Sequence, residues 1–229
     1  MREIKADKVR DAAADLAKEA NFVLRKDVLD ALKSALAKET DNRARRILKA
    51  IINNAEIAKK EKLAICQDTG LPVVFGEIGQ EARITGGSLQ GAISQGLELG
   101  YTRGNLRRSI VKDPLSRGVP GFIPAIIHTE IVKGDKIKLS LLPKGFGCEN
   151  KSQIRMFKPT ASIEEIKRFI LEAVEEAGPD ACPPFVLGIG IGGTQDYAAF
   201  LAKKALLNKI KNQKSKIKNT NQNQKIYKL

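Results

Sequence analysis

The apolar periodicity of this chain changes once, near residue 62, and that change limits the folds open to it. Before it, Ala44, Ile47, Leu48, Ile51, Ile52 and Ala55 recur every three or four residues, with Arg45, Arg46, Asn53 and Asn54 opposite. This is the stripe of an amphipathic helix. Val28, Leu29, Leu32, Ala35 and Leu36 form a weaker stripe, and Asp41 is placed to cap the helix that follows. After the change, Ile137, Leu139 and Leu141 alternate with Lys136, Lys138 and Ser140, the two-residue period of a half-buried strand. The expected fold class is α+β: a helical N-terminal part over about 4–62, then a mixed α/β part over about 63–207 with a β-hairpin.

Punctuation residues place the remaining elements. Leu71–Phe75 reads as a strand, and Gly86-Gly87 precedes a helix over about Ser88–Gly100. Pro124–Val132 and Lys136–Leu142 read as strands joined at Lys133-Gly134-Asp135, a hairpin signal. Ser162 and Glu165 form a capping box for a helix that Gly178 stops. "FVLGIGIGGT" reads as a strand running into a glycine turn, before a last helix over Asp196–Leu207.

Charge is unevenly spread. The net charge is +14, yet Lys209–Leu229 holds seven lysines and no acid. Residues 208–229 therefore read as a basic, low-complexity, disordered tail rich in Lys, Asn and Gln. A basic nucleic-acid-binding module is the reading from another class. No aromatic-interleaved basic face supports it, so a nucleic-acid partner is not expected. No run approaches the roughly 18 apolar residues of a membrane span, and the first twenty residues lack the apolar core of a signal peptide. A cytoplasmic protein without a membrane partner is expected.

The three cysteines are too few and too scattered for a disulfide framework, and none forms a CxxC pair. Each lies beside turn-forming residues: Cys66 in "ICQDTG", Cys148 in "KGFGCENK", Cys182 in "ACPP". Such placement suits metal ligands or reactive thiols, while three scattered thiols without a role remain the alternative. "GIGIGGT" lacks GxGxxG spacing and is read as close backbone packing at a turn into a helix. His128, the only histidine, lies inside a strand, which leaves few ways to build a nucleophilic triad. Arg107 is a candidate clamp for a carboxylate.

Four segments in order, "ICQDTG", "GYTRGNLRRSIVKDPL", "LLPKGFGCENKS" and "DACPPFVLGIGIGGTQDYAAFLAKKALL", resemble the α subunit, or N-terminal domain, of the class I iron–sulfur fumarate hydratase and L-tartrate dehydratase family. The resemblance runs from about residue 4 to Leu207. It implies a 4Fe–4S cluster held by three cysteines, with one iron open to act as a Lewis acid on a hydroxy-dicarboxylate. It makes Cys66 and Cys182 cluster ligands and places Gln67 and Asp68 beside the substrate, with Asp68 a candidate catalytic acid. Arg107 and Gly147 would help hold the dicarboxylate. The catalytic base would come from a β subunit, so a hetero-oligomer is expected. The implied reaction is the hydration of fumarate or dehydration of malate, or that of tartrate. The family's third cysteine belongs to a segment after Leu207, where this chain has its basic tail. The sequence thus reads as truncated at its C-terminus, with a catalytically incomplete homologue as the alternative. Cys148 stands where most relatives are expected to have serine. It is a candidate substitute ligand or a harmless serine replacement.

Overall fold

The structure of the protein, a computed structural model, is described over residues 1–210. It divides into two compact units, Met1–Gly145 and Phe146–Leu229. The tail of 208–229 lies almost wholly outside the described residues. Among the described residues no helix is long and apolar enough to cross a membrane.

The first unit opens with strand β1 (Arg2–Lys5) and helices α1 (Ala6–Phe22), α2 (Lys26–Lys38) and α3 (Asn42–Glu61). The helical part begins and ends close to where periodicity puts it. Asp41 caps α3 by accepting the Ala44 N–H at 2.8 Å, and Lys62 ends it in the left-handed region at φ 55°. Of the α3 stripe, Leu48, Ile52 and Ala55 are buried, but Ile47 is exposed. The α2 stripe is only partly covered, because α2 packs on α3 alone of its neighbours in any extent.

Strands β2 (Leu71–Gly79) and β3 (Ala82–Thr85), helix α4 (Leu89–Arg103), and strands β4 (Ile126–Val132) and β5 (Ile137–Lys144) complete this unit. Two short strands were not legible: β1 and β3 pair in parallel as a separate ribbon. The main sheet has the order β4-β2-β5, with β4 parallel and β5 antiparallel to β2. The expected hairpin is therefore corrected. Its two strands and its turn exist, but β2 lies between the strands. The turn at 133–136 instead straddles the end of β2, where Gly79 N–H donates to Lys136 O at 2.8 Å and Glu81 N–H to Gly134 O at 2.9 Å. Sheet neighbours lie about 4.8 Å apart, and four extended residues reach more than twice that. A side chain at Gly79 would put its Cβ within 2.4 Å of Gly134 O, so glycine is required there.

The core lies between α1, α4 and one sheet face. It contains Val9, Ala17, Val74, Ile93, Leu97 and Tyr101, with Ile127, Leu139 and Leu141 packed against it. Helices α1 and α4 meet backbone to backbone. A Cβ at Gly96 would come within 2.2 Å of Arg10 O, and one at Gly100 within 2.5 Å of Ala14 O.

The second unit contains helix α5 (Phe146–Glu149), helix α6 (Ile163–Ala177), a 3₁₀ turn (Gly178–Ala181) and helix α7 (Gln195–Ala205). The capping box of α6 has both arms, Glu165 N–H to Ser162 Oγ at 3.2 Å and Ser162 N–H to Glu165 Oε2 at 2.7 Å. Gly178 ends the helix at φ 49°. The expected strand in "FVLGIGIGGT" does not form. No strand exists among this unit's described residues for it to pair with. Its glycines instead press against α7: a Cβ at Gly188 would meet Ala202 O at 2.1 Å and one at Gly190 would meet Ala198 O at 2.0 Å. Close backbone packing, rather than dinucleotide binding, is the role this geometry gives the glycine run.

Candidate active site

The "ICQDTG" segment leaves α3 as a loop pinned at both ends. At its start, Leu63 N–H donates to Ala58 O at 3.0 Å, closing the helix through the left-handed Lys62. Ile65 is held on both sides of its backbone. Its N–H donates to Asn21 O at 2.9 Å, and its carbonyl accepts from Asn54 Nδ2 at 2.8 Å. Asn21 is itself buried, with Nδ2 donating to Ala17 O at 2.8 Å. At the far end, Gly70 adopts φ 68° and lies so close to β5 that a Cβ would sit 2.5 Å from the Lys144 carbonyl carbon. Conformation and space both demand glycine there.

Between the pins, the side chains divide by exposure. Cys66 and Gln67 are exposed, Asp68 is half-buried and Thr69 is buried. Cys66 Sγ lies 3.3 Å from Gln67 Oε1, a thiol-to-amide hydrogen bond. Asp68 turns back on its own backbone, with Oδ1 accepting the Gly70 N–H at 3.1 Å. Thr69 faces inward. Its carbonyl accepts from Tyr101 Oη at 2.9 Å, and its Oγ1 accepts the Arg107 N–H at 3.0 Å.

That last bond brings Arg107 to the loop. Helix α4 ends in a left-handed Asn105 at φ 50°, with Leu106 N–H donating to Tyr101 O at 2.9 Å. Leu106 is buried and the next residue, Arg107, emerges exposed beside Thr69. Tyr101 supports both segments. Burial, above all, pushes its phenol up to about 12; the Asn21 hydrogen bond lowers it and the nearby Asp68 charge raises it. It therefore stays a neutral donor at ordinary pH.

Of the sequence-derived candidates, Cys66, Gln67, Asp68 and Arg107 thus share one frame in the first unit. Gly147, Cys148 and Cys182 lie in the second. There α5 packs on the 3₁₀ turn, where a Cβ at Gly147 would lie 3.8 Å from Asp180 O and Lys151 Nζ is 2.9 Å from Asp180 Oδ2. Cys182 follows that turn in the left-handed conformation, φ 59°, and is exposed; Cys148 is half-buried. Glu149 and Lys203 form an ion pair that ties α5 to α7. His128 lies in β4, its ring stacked on Phe75 at 5.2 Å. Sequence reasoning missed the supporting residues Asn21, Asn54, Thr69 and Tyr101. Their roles arise from approach in space; Thr69 and Tyr101 lay within the quoted motifs "ICQDTG" and "GYTRGNLRRSIVKDPL", but nothing in those motifs marked them as supports.

The exposed thiols of Cys66 and Cys182 have the donor chemistry an iron–sulfur cluster needs. Among the described residues, however, no three His, Cys, Asp or Glu side chains are already gathered into a metal-holding group.

Comparison with known proteins identifies the family. The model of the family described as fumarate hydratase (fumerase) matches residues 10–229, through the basic tail. A protein of Methanocaldococcus jannaschii named "Putative L(+)-tartrate dehydratase subunit alpha" is 38% identical over 210 residues, 89% of this chain and 73% of that protein. The L(+)-tartrate dehydratase subunit alpha of Escherichia coli strain K12 is 27% identical over 188 residues, 80% of this chain and 62% of that protein. The chain thus matches about two thirds of the length of these relatives. By the extent of the family match and this identity, the chain belongs to the fumarate hydratase family.

Proposed function

We propose that this chain is the α subunit of a hydro-lyase that reversibly dehydrates a small hydroxy-dicarboxylate. The observation that carries the reading is the single frame holding Cys66, Gln67, Asp68 and Arg107, with Thr69 bonded to the Arg107 backbone at 3.0 Å. The family description supports fumarate and malate, and the relatives' names support L(+)-tartrate. All are four-carbon dicarboxylates or their dehydration products, so one carboxylate-recognition scheme serves each.

In this scheme Arg107 binds one carboxylate through its planar fork of donors. Gln67 offers an amide to the substrate's hydroxyl or carboxylate. Asp68 protonates the departing hydroxyl, which leaves as water as the carbon–oxygen bond breaks. A base from the partner subunit takes the proton from the neighbouring carbon, and the electrons of that C–H bond form the new double bond. Gly147 presents backbone with no side chain to crowd a bound carboxylate. Cys66 and Cys182 are the ligands this chain would give to a 4Fe–4S cluster, which when bound supplies Lewis-acid polarisation of the hydroxyl and carboxylate. Cys148 is the candidate for a further thiol. A cytoplasmic setting suits such oxygen-sensitive chemistry.

The test is anaerobic co-purification with the partner subunit, followed by iron and sulfide analysis and assays of fumarate hydration and L-tartrate dehydration. A brown, iron-containing complex active on one of these substrates is expected. A colourless, iron-free, inactive complex would sink the proposal.

A further inference from the structure

We infer that Thr69 is a positioning residue, setting where Arg107 stands relative to Gln67 and Asp68; the inference rests on the proposed carboxylate-binding role of Arg107. Thr69 is only 4% exposed, so it does not itself reach a ligand in solvent. Its hydroxyl is one donor with two lone pairs, and both functions are directed at a single residue. It accepts the Arg107 N–H at 3.0 Å and donates to the Arg107 carbonyl at 3.4 Å, the longer and weaker bond. One side chain thereby fixes both peptide groups that flank the Arg107 Cα.

The frame around this contact leaves Thr69 little room to move. Its carbonyl is held by Tyr101, the preceding Asp68 is locked to Gly70 N, and Gly70 abuts Lys144. On the other side, Arg107 follows the buried Leu106, which closes α4 through the left-handed Asn105. The amide and carboxylate of Gln67 and Asp68 and the guanidinium of Arg107 thus project from two segments joined through the Thr69 hydroxyl. A long, charged side chain such as Arg107 has many rotamers, so its reach is set first by where its Cα is held. Losing the hydroxyl removes the acceptor of the Arg107 N–H and lets the 105–109 segment shift. Misplacement of about 1 Å is enough to spoil a bidentate contact.

The test is a double-mutant cycle on the anaerobically prepared complex with its partner subunit. Affinity is measured by calorimetry with succinate, a dicarboxylate that cannot dehydrate, alongside KM and kcat for the preferred substrate. Arg107→Ala is expected to weaken succinate binding about a hundredfold, as loss of a charge-assisted bidentate contact does. Thr69→Val is expected to weaken it about tenfold and to raise KM more than it lowers kcat, as for an interaction made in the ground state too. Thr69→Ser keeps the hydroxyl and restores affinity to within about twofold of the parent. In the Arg107→Ala background, Thr69→Val has no further effect on affinity.

If Arg107→Ala leaves succinate affinity unchanged, the clamp reading fails and this inference falls with it. If Arg107→Ala weakens binding but Thr69→Val does not, or if the two losses simply add, the positioning role alone is overturned. Should Thr69→Val not fold, Thr69→Ser decides. Near-parental affinity upholds the role, and a tenfold loss at unchanged melting temperature overturns it.

Discussion

The two cysteine loops stand on differently built foundations. The Cys66 loop belongs to a unit whose core runs from α1 through α4 to the sheet, and buried residues hold it at Ile65, Thr69 and Gly70. The Cys182 turn belongs to a unit where Ala177 and Ala181 are the only buried apolar residues among those described. In the same unit Ile154, Met156, Leu171, Val186 and Leu187 are exposed. The 3₁₀ turn and the Lys151–Asp180 pair fasten the second loop, and the Glu149–Lys203 pair ties α5 to α7 in the same unit. A largely solvent-exposed pair such as Lys151–Asp180 contributes only about 0–1 kcal/mol. The backbone that carries the acid, amide and arginine is therefore held by buried neighbours, whereas the second thiol sits in a unit with little buried apolar surface among its described residues. Local opening there costs less free energy than opening the first loop.

Four measurements would break or sharpen this contrast. The largest effect is expected at Asp68. Asp68→Asn keeps an oxygen to accept from Gly70 N but loses the acid, so kcat should fall about a hundredfold or more with the melting temperature unchanged. A variant that keeps its rate removes Asp68 from the chemistry. Next is Gly100→Val, which drives a side chain into the α1 backbone 2.5 Å away. Urea unfolding should show a loss of about 3 kcal/mol or more for the first unit. Leu171→Ala, at a residue 60% exposed in the second unit, should cost under about 0.5 kcal/mol. Equal losses at the two sites would erase the distinction.

The third concerns pH. Below pH 10 Tyr101 is neutral in folded and unfolded chains alike. Between 10 and about 12 the unfolded tyrosine ionises while the buried one keeps its proton. The unfolded state then binds fewer protons, so stability falls as pH rises through that window, by about 2–3 kcal/mol from this group. Tyr101→Phe should flatten that part of the stability–pH curve; an unchanged slope would place its origin elsewhere. The last measurement is Ser162→Ala, which removes one arm of the α6 capping box and should cost about 1 kcal/mol by thermal unfolding.

Elements set by local rules were legible in the sequence. Asp41, Ser162 with Glu165, and Gly178 mark helix ends because capping depends on the nearest few residues. The strand alternation at Ile137–Leu141 was legible for the same reason. Partnership was not. Lys133-Gly134-Asp135 has the composition of a hairpin turn, but composition does not reveal that β2 lies between the strands it joins. Likewise "FVLGIGIGG" has strand-forming residues, and its conformation is decided instead by glycines that let α7 approach. At the site, Cys66, Gln67 and Asp68 were visible as a cluster because they are contiguous. That Arg107 joins them depends on one hydroxyl bond across distant sequence, which no spacing rule contains.

The straddled end of β2 has a consequence for the order in which the chain matures. Val73 pairs with Ile126 on one side and with Leu142 on the other, so the central strand precedes both of its neighbours by long stretches of chain. A turn that passes over β2 cannot close first as a hairpin and accept β2 later without opening again. During synthesis, the loop carrying Cys66, Gln67 and Asp68 emerges early but gains its seat only when Lys144 arrives to meet Leu71 and Gly70. Until then its thiol and carboxylate belong to an unfinished chain.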